Sequence, residues 1–298
     1  MRLLAVALLA ATLGVPSAAM ASGSGGTSAP AGSVDTGGTT PRDKRPRASG
    51  KLVLASFKVN TRKVYDLGRP AKVVFRIDGR SPTVKVKLYA LRRGKRVRTI
   101  DLGERTTRRT HSASFTGQEG GRLPEGALQL KLSARDSRGR KLRAARGAST
   151  VSEIGFYHHR FPIAGPFSYS GDGGRFGADR PGHVHQGQDL PAPAGTPLVA
   201  PRGGVVDTVA NQPGGAGNYI VVRASGENRS YVFMHLLDGS TRVREGQRVR
   251  TGQRLGDVGS TGASSGPHLH FEIWVGAWFD GGRPIDPLPD LRRWDAWS

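Results

Sequence analysis

The sequence predicts an all-β protein, with strand-like runs in two successive regions of which the first reads as an antiparallel β-sandwich. Short runs in which apolar and polar residues alternate recur from residue 51 onward (AKVVFRI, VKVKLYAL, ALQLKLSA, NYIVVRA, LHFEIWV), the period of strands with one buried face. The 43 Gly and 19 Pro punctuate these runs and argue against long helices. A length of 298 residues leaves room for about two ordinary domains.

The first segment reads as an export signal. Met1 and Arg2 give a positive start, Leu3 to Val15 is apolar, and Ala19-Met20-Ala21 offers the small-x-small site before Ser22 that a signal peptidase accepts. The apolar run is too short to span a bilayer, which takes roughly 20 such residues. Residues 1–21 are therefore expected to be a cleaved signal peptide, and the mature chain a secreted, extracytoplasmic protein rather than an integral membrane one. Residues 22–50 are rich in Gly, Ser, Thr and Pro with almost no large apolar side chain, so they cannot offset the entropy of folding and are expected to be a disordered linker.

Residues 51–150 are expected to form the first sandwich. Phe57 and Val59, Val73 and Phe75, Val84, Val86 and Leu88, and Leu128, Leu130 and Leu132 would face inward, with Lys85 and Lys87 outward. The GRLPEGALQLKLSARDSRGR stretch resembles the immunoglobulin-like modules found beside bacterial surface enzymes. No catalytic constellation is visible here, and His111 reads as a surface residue. This segment holds 26 basic against 7 acidic groups, while residues 151–298 hold 14 of each, so nearly all of the net charge of +22 sits in the middle third. A field that one-sided favours polyanions. For an exported protein these are anionic wall polymers or lipid headgroups, and no nucleic acid is expected.

Residues 151–298 hold seven of the eight histidines. His268-Leu269-His270 lies in an alternating run, where residues two apart share a face, so two imidazoles project side by side. His185 and Asp189 are four apart in HQGQD, where Gly187 and the following Leu190-Pro191 favour a loop entering a strand over a helix. His235 ends the run YVFMHL. The chain has no Cys, so thiolate ligands and a cysteine nucleophile are excluded and a metal must be held by His, Asp or Glu. Two His and one Asp make a site that holds zinc by three protein ligands and leaves a fourth position open. His158, His159 and His183 read as packed or surface residues, although His183 shares parity with His185 and could donate a hydrogen bond behind it.

HQGQDLPAPAGTPLVAPRGGVV, GNYIVV, YVFMHL, VREGQRVRTGQRLGDVGSTGASSGPHLHFEIW and PIDPL together resemble the lysostaphin-type zinc metallopeptidases, over about residues 161–288. The resemblance implies a β-sandwich groove in which His185, Asp189 and His270 ligate Zn2+ and the pair His235 and His268 lines the attacking water and the developing oxyanion; which of the two is the base stays open. Glu272 shares a face with His270 and is expected to support it. The run 259–266 is expected to wall the groove, and Gly203–Val206 and Glu245–Gln253 to form paired turns of the scaffold. Arg223 stands where the family often has an acidic residue. The implied function is a peptidoglycan hydrolase: a zinc metalloendopeptidase cutting stem or cross-link peptides, with residues 51–150 contacting anionic wall polymers. The alternative is a catalytically idle wall-binding or regulatory protein of the same fold.

Overall fold

A computed structural model describes residues 50–298. The expected signal peptide and nearly all of the expected linker lie outside the described residues.

The first sandwich comprises β1 (Val53–Val59), β2 (Lys63–Tyr65), β3 (Ala71–Asp78), β4 (Thr83–Arg92), β5 (Lys95–Thr106), β6 (Thr110–Phe115), β7 (Gly126–Arg135), β8 (Arg143–Ala144) and β9 (Val151–Tyr157). One sheet runs β6-β3-β1-β8 and the other β2-β9-β7-β4-β5. Pairing is antiparallel except for β1 with β8 and β2 with β9. Alternation decides the core: Val73, Phe75 and Ile77 of β3, Val84, Val86 and Leu88 of β4, and Leu128, Leu130 and Leu132 of β7 are buried in one cluster, while Lys85 and Lys87 are exposed. Phe57 and Val59 face inward as expected, opposite Phe75 and Val73, and pack half-buried against this core; a bulge between Leu54 and Ser56 brings them onto the same face as the fully buried Leu54. The module also runs past residue 150: β9 pairs with β7 from Gly126↔Phe156 to Lys131↔Val151.

The second module comprises β10 (Asp179–Arg180), β11 (His183–Val184), β12 (Gln188–Pro191), β13 (Pro197–Val199), β14 (Gly204–Gln212), β15 (Gly217–Ala224), β16 (Arg229–Leu236), β17 (Arg248–Val249), β18 (Arg254–Asp257), β19 (His268–Ala277), β20 (Asp280–Ile285) and one helix, α1 (Leu288–Asp295). A seven-stranded sheet runs β12-β19-β16-β15-β14-β17, with β20 also on β19. The expected paired turns meet here, Gly204 opposite Val249 and Val205 opposite Arg248. The helix was not expected from the sequence. It follows Pro287, Asp286 Oδ1 accepts from the Leu288 N–H at 2.9 Å, and Leu291 and Trp294, three apart, enter the core.

Parity on β19 sorts core from function. Leu269, Phe271 and Ile273 join Ile220, Val222, Tyr231, Phe233 and Trp294 in the main core. On the opposite face of the sheet, Val221, Val232 and Trp274 form a small separate cluster with Tyr219, Met234 and Trp278 against it. His268, His270 and Glu272 share the parity of Trp274 and so belong to that second face.

The described residues form one unit, and buried polar groups join its two cores. Arg202, only 4% exposed, donates to Asp66 Oδ2 at 3.1 Å, to His158 O at 3.2 Å and to Ser225 O at 2.8 Å, which satisfies its charge away from water. His158 accepts from Arg122 Nε at 2.6 Å and donates from Nε2 to Leu123 O at 2.8 Å. Burial lowers its pKa. His159 pairs with Glu227 at 3.1 Å and stacks on Trp294 at 4.9 Å. Both histidines are packing residues, as their sequence context suggested. No helix among the described residues is long and apolar enough to cross a membrane.

Candidate metal centre and active-site cleft

Strand register places the three expected ligands together. Asp189 of β12 lies opposite His270 of β19, and the loop before β12 brings His185 over them. His185 Nε2, Asp189 Oδ1 and His270 Nδ1 form a triangle with edges of 3.1, 2.9 and 2.9 Å. Donors about 2.1 Å from a tetrahedral ion stand about 3.4 Å apart, so this triangle needs only a slight opening to seat one. It is the one group of three or more His, Cys, Asp or Glu side chains among the described residues that is disposed to hold a metal. Gly187 permits the arrangement: a Cβ there would lie 2.6 Å from Phe271 O and 2.7 Å from His270 Nε2.

Hydrogen bonds fix which nitrogen each ring offers. His185 donates from Nδ1 to Arg175 O at 2.7 Å, leaving Nε2 for the site. His270 donates from Nε2 to Glu272 Oε1 at 3.0 Å, leaving Nδ1. Glu272, 3% exposed, is itself held by Trp274 Nε1 at 2.6 Å and Trp278 Nε1 at 3.2 Å on its second oxygen. Asp189 turns its other oxygen, Oδ2, to Arg180 Nη2 at 2.9 Å. Burial alone would raise the Asp189 carboxyl, but hydrogen bonds from His185 and His270 outweigh it and hold the group far below the usual carboxylate range. For His270 burial would lower the pKa, but its bonds to Asp189 and Glu272 push it up to about 9. The two carboxylates thus set a negative potential at this ring, which favours a proton there and equally a bound cation that displaces it.

His235 and His268 stand beside the triangle. Their ring centroids are 4.8 Å apart, and that of His235 is 6.1 Å from His270. His235 donates from Nδ1 to Thr261 O and His268 from Nδ1 to Gly266 O, both at 2.8 Å, so each keeps Nε2 unprotonated when neutral. His268 Nε2 lies 3.8 Å from Asp189 Oδ1. Burial lowers the His235 pKa to about 4, so that ring is a neutral acceptor at neutral pH. His235 also has φ +63°, a left-handed conformation rare outside glycine that turns the end of β16 into the site.

All five expected residues line one cleft of about 840 Å³. The run 259–266 contributes Ala263, Ser264 and Ser265 to its wall and is tied down by the Ala263 N–H to Gly215 O at 2.8 Å. His183 lines the rim but bonds only to Pro181 O, not behind His185, whose Nδ1 partner is the Arg175 carbonyl. Arg223 lies outside the cleft in an ion pair with Asp207 at 3.4 Å. The sequence reading missed Arg180, which no spacing rule connects to Asp189, and the aromatic side of the cleft, where Tyr219, Trp278 and the 67% exposed Phe279 gather.

The segment that carries this cleft matches known proteins. Residues 183–287 match peptidase family M23. A Haemophilus influenzae protein described as an uncharacterized metalloprotease is 42% identical over 104 residues, 35% of this chain and 20% of that protein. The peptidoglycan DD-endopeptidase ShyA of Vibrio cholerae is 38% identical over 104 residues, 35% of this chain and 22% of that protein. Among solved structures, the catalytic domain of lysostaphin from Staphylococcus simulans is 29% identical, with 42% of this chain and 92% of that chain covered at a TM-score of 0.38. The chain spans only about a fifth of the length of the first two relatives. With His185, Asp189, His235, His268 and His270 all inside the matched segment, residues 183–287 form a peptidase family M23 domain.

Proposed function

We propose that the protein is a zinc metalloendopeptidase that hydrolyses peptide bonds in peptidoglycan. The observation that carries this reading is the pairing of a three-donor triangle with two further histidines whose Nε2 atoms are left as acceptors. His185 Nε2, Asp189 Oδ1 and His270 Nδ1 would hold the ion, and the nitrogen and oxygen donor set suits zinc. Zinc, when bound, supplies Lewis-acid polarisation of the scissile carbonyl and of the attacking water. The protein's own part is proton management. The Nε2 of His235 or His268 accepts the water's proton, and the protonated ring then donates a hydrogen bond to the tetrahedral oxyanion or a proton to the departing amine. Glu272, Arg175 O, Thr261 O and Gly266 O hold the four rings in the tautomers that this requires.

The substrate class is supported by the relatives, several of which are named as peptidoglycan DD-endopeptidases. Such a substrate places the activity outside the cytoplasm, in keeping with the export segment read at residues 1–21. The first sandwich is proposed as an immunoglobulin-like accessory module. The test is zymography on purified peptidoglycan with the full chain: a cleared band that disappears with chelator and returns with zinc supports the proposal. An undigested wall with one zinc bound per chain would instead identify an idle, wall-binding member of the fold.

A further inference from the structure

We propose that the cleft between the two sandwiches is a second binding site, which holds a phosphate-bearing wall polymer through Lys63, Arg69, Arg160 and Arg250. The choice of the wall as the source rests on the function proposed above. The cleft has a volume of about 750 Å³ and draws Lys63 and Arg69 from the first module and Arg160 and Arg250 from the second. None of the four is paired with an Asp or Glu among the described residues, whereas Arg254 at the same cleft is neutralised by Asp257 at 2.7 Å. Elsewhere in the second module, Arg180, Arg223 and Arg229 also meet carboxylates within 4 Å. Residues 151–298 carry no net charge, yet they bring Arg160 and Arg250 to this cleft beside Lys63 and Arg69.

The walls are built to hold their places. The Thr251 N–H donates to Leu67 O at 3.1 Å, Thr251 Oγ1 donates to Asp66 O, and the Gly203 N–H donates to Thr251 Oγ1 at 2.9 Å. Asp66 is anchored by Arg202 at 3.1 Å. Arg160 lies over the Tyr65 ring at 5.8 Å. Gly252 makes room for it: a Cβ there would lie 2.9 Å from Arg160 Nη1. Lys63 Nζ donates to Ser298 O at 3.1 Å. Holding Arg160 and Lys63 in place before the ligand arrives removes part of the ordering cost from binding.

The chemistry selects phosphate. Guanidinium and ammonium groups donate charge-assisted hydrogen bonds to phosphate oxygens. Four cations spread along one cleft exceed what a single carboxylate can engage, while a polyol-phosphate chain, with one negative charge per repeat, can meet them in succession. Such contacts are screened within about 8 Å at physiological ionic strength, so binding weakens as salt rises.

The test uses the full chain and soluble poly(glycerol phosphate), with binding measured by calorimetry across a salt series. Lys63→Gln/Arg160→Gln/Arg250→Gln is compared with Lys85→Gln/Lys87→Gln/Lys95→Gln, which removes the same charge from the far strands β4 and β5. The cleft variant should bind at least about tenfold more weakly and the control within about twofold of wild type. Arg69→Gln/Arg250→Gln, at two exposed positions, gives the same reading if the triple variant does not fold. Inorganic phosphate should compete only at far higher concentration than the polymer. Equal losses in both triples would reduce the effect to the diffuse basic field and overturn the proposal; so would phosphatidylglycerol vesicles that bind as tightly as the polymer. Polymer binding without zymographic activity would overturn only the peptidase reading, and activity without polymer binding only this one.

Discussion

His270 turns its Nε2–H onto Glu272 Oε1 at 3.0 Å, and this bond decides that Nδ1 is the nitrogen presented to Asp189. The Trp274 and Trp278 indoles hold the far oxygen of Glu272 in turn, so the ring orientation in the site is set two residues along the same strand face. A buried carboxylate bonded this way also raises the basicity of the ligand it supports.

Glu272→Gln should therefore weaken zinc binding by about 10- to 100-fold while leaving the fold intact, because the amide fills the space but carries no charge and has one acceptor oxygen for the three donors of His270, Trp274 and Trp278. Titration against a chelating dye measures it. An unchanged affinity would mean that Glu272 only packs.

His235→Ala and His268→Ala should separate chemistry from metal binding. Neither ring belongs to the triangle, so zinc content should stay near one per chain, while turnover falls by about 10²- to 10⁴-fold for loss of proton transfer and oxyanion stabilisation. Near-normal wall hydrolysis by either variant would make that histidine a bystander.

How much of this could be read from the sequence depends on range. Alternation on β3, β4 and β7 identifies the first core residue by residue because each strand buries one face. On β1 it identifies Phe57 and Val59 but not Leu52 and Leu54, which reach the same core face only through a bulge that the sequence does not mark. His268, His270 and Glu272 are legible as one face because they lie on one strand. Arg180 is not, since its bond to Asp189 depends on how a two-stranded hairpin folds over the site. The inter-module cleft is illegible for the same reason: Lys63 and Arg250 are brought together by the packing of two cores, and no local pattern encodes that distance.

Gly187→Ala should disturb the site without replacing a ligand. The added methyl group would meet Phe271 O at 2.6 Å and the His270 ring at 2.7 Å, and backbone on one side leaves it no escape. Overpacking of this kind costs about 1 to 3 kcal/mol. Thermal unfolding should show that loss, and zinc affinity should drop with it. An alanine variant with wild-type stability and metal content would contradict the packing described for this turn.

Zinc uptake should release a proton. In the metal-free protein the bonds from His270 to Asp189 and Glu272 outweigh burial and raise its pKa to about 9, so at pH 7 the ring carries the proton that Nδ1 must lose to become a ligand. The same shift sets a stability trend. A histidine raised in the folded state contributes fully below its unfolded value of about 6.5, and that contribution is lost as pH rises through about 9. The metal-free protein should lose part of its stability across this window, and the zinc-loaded protein should not, because its ring is already deprotonated. Calorimetry at pH 7 in buffers of different ionisation enthalpy should register about one proton released per zinc, fading above pH 9. If the apparent enthalpy does not depend on the buffer, His270 is neutral before the metal arrives and the two carboxylates do not charge it.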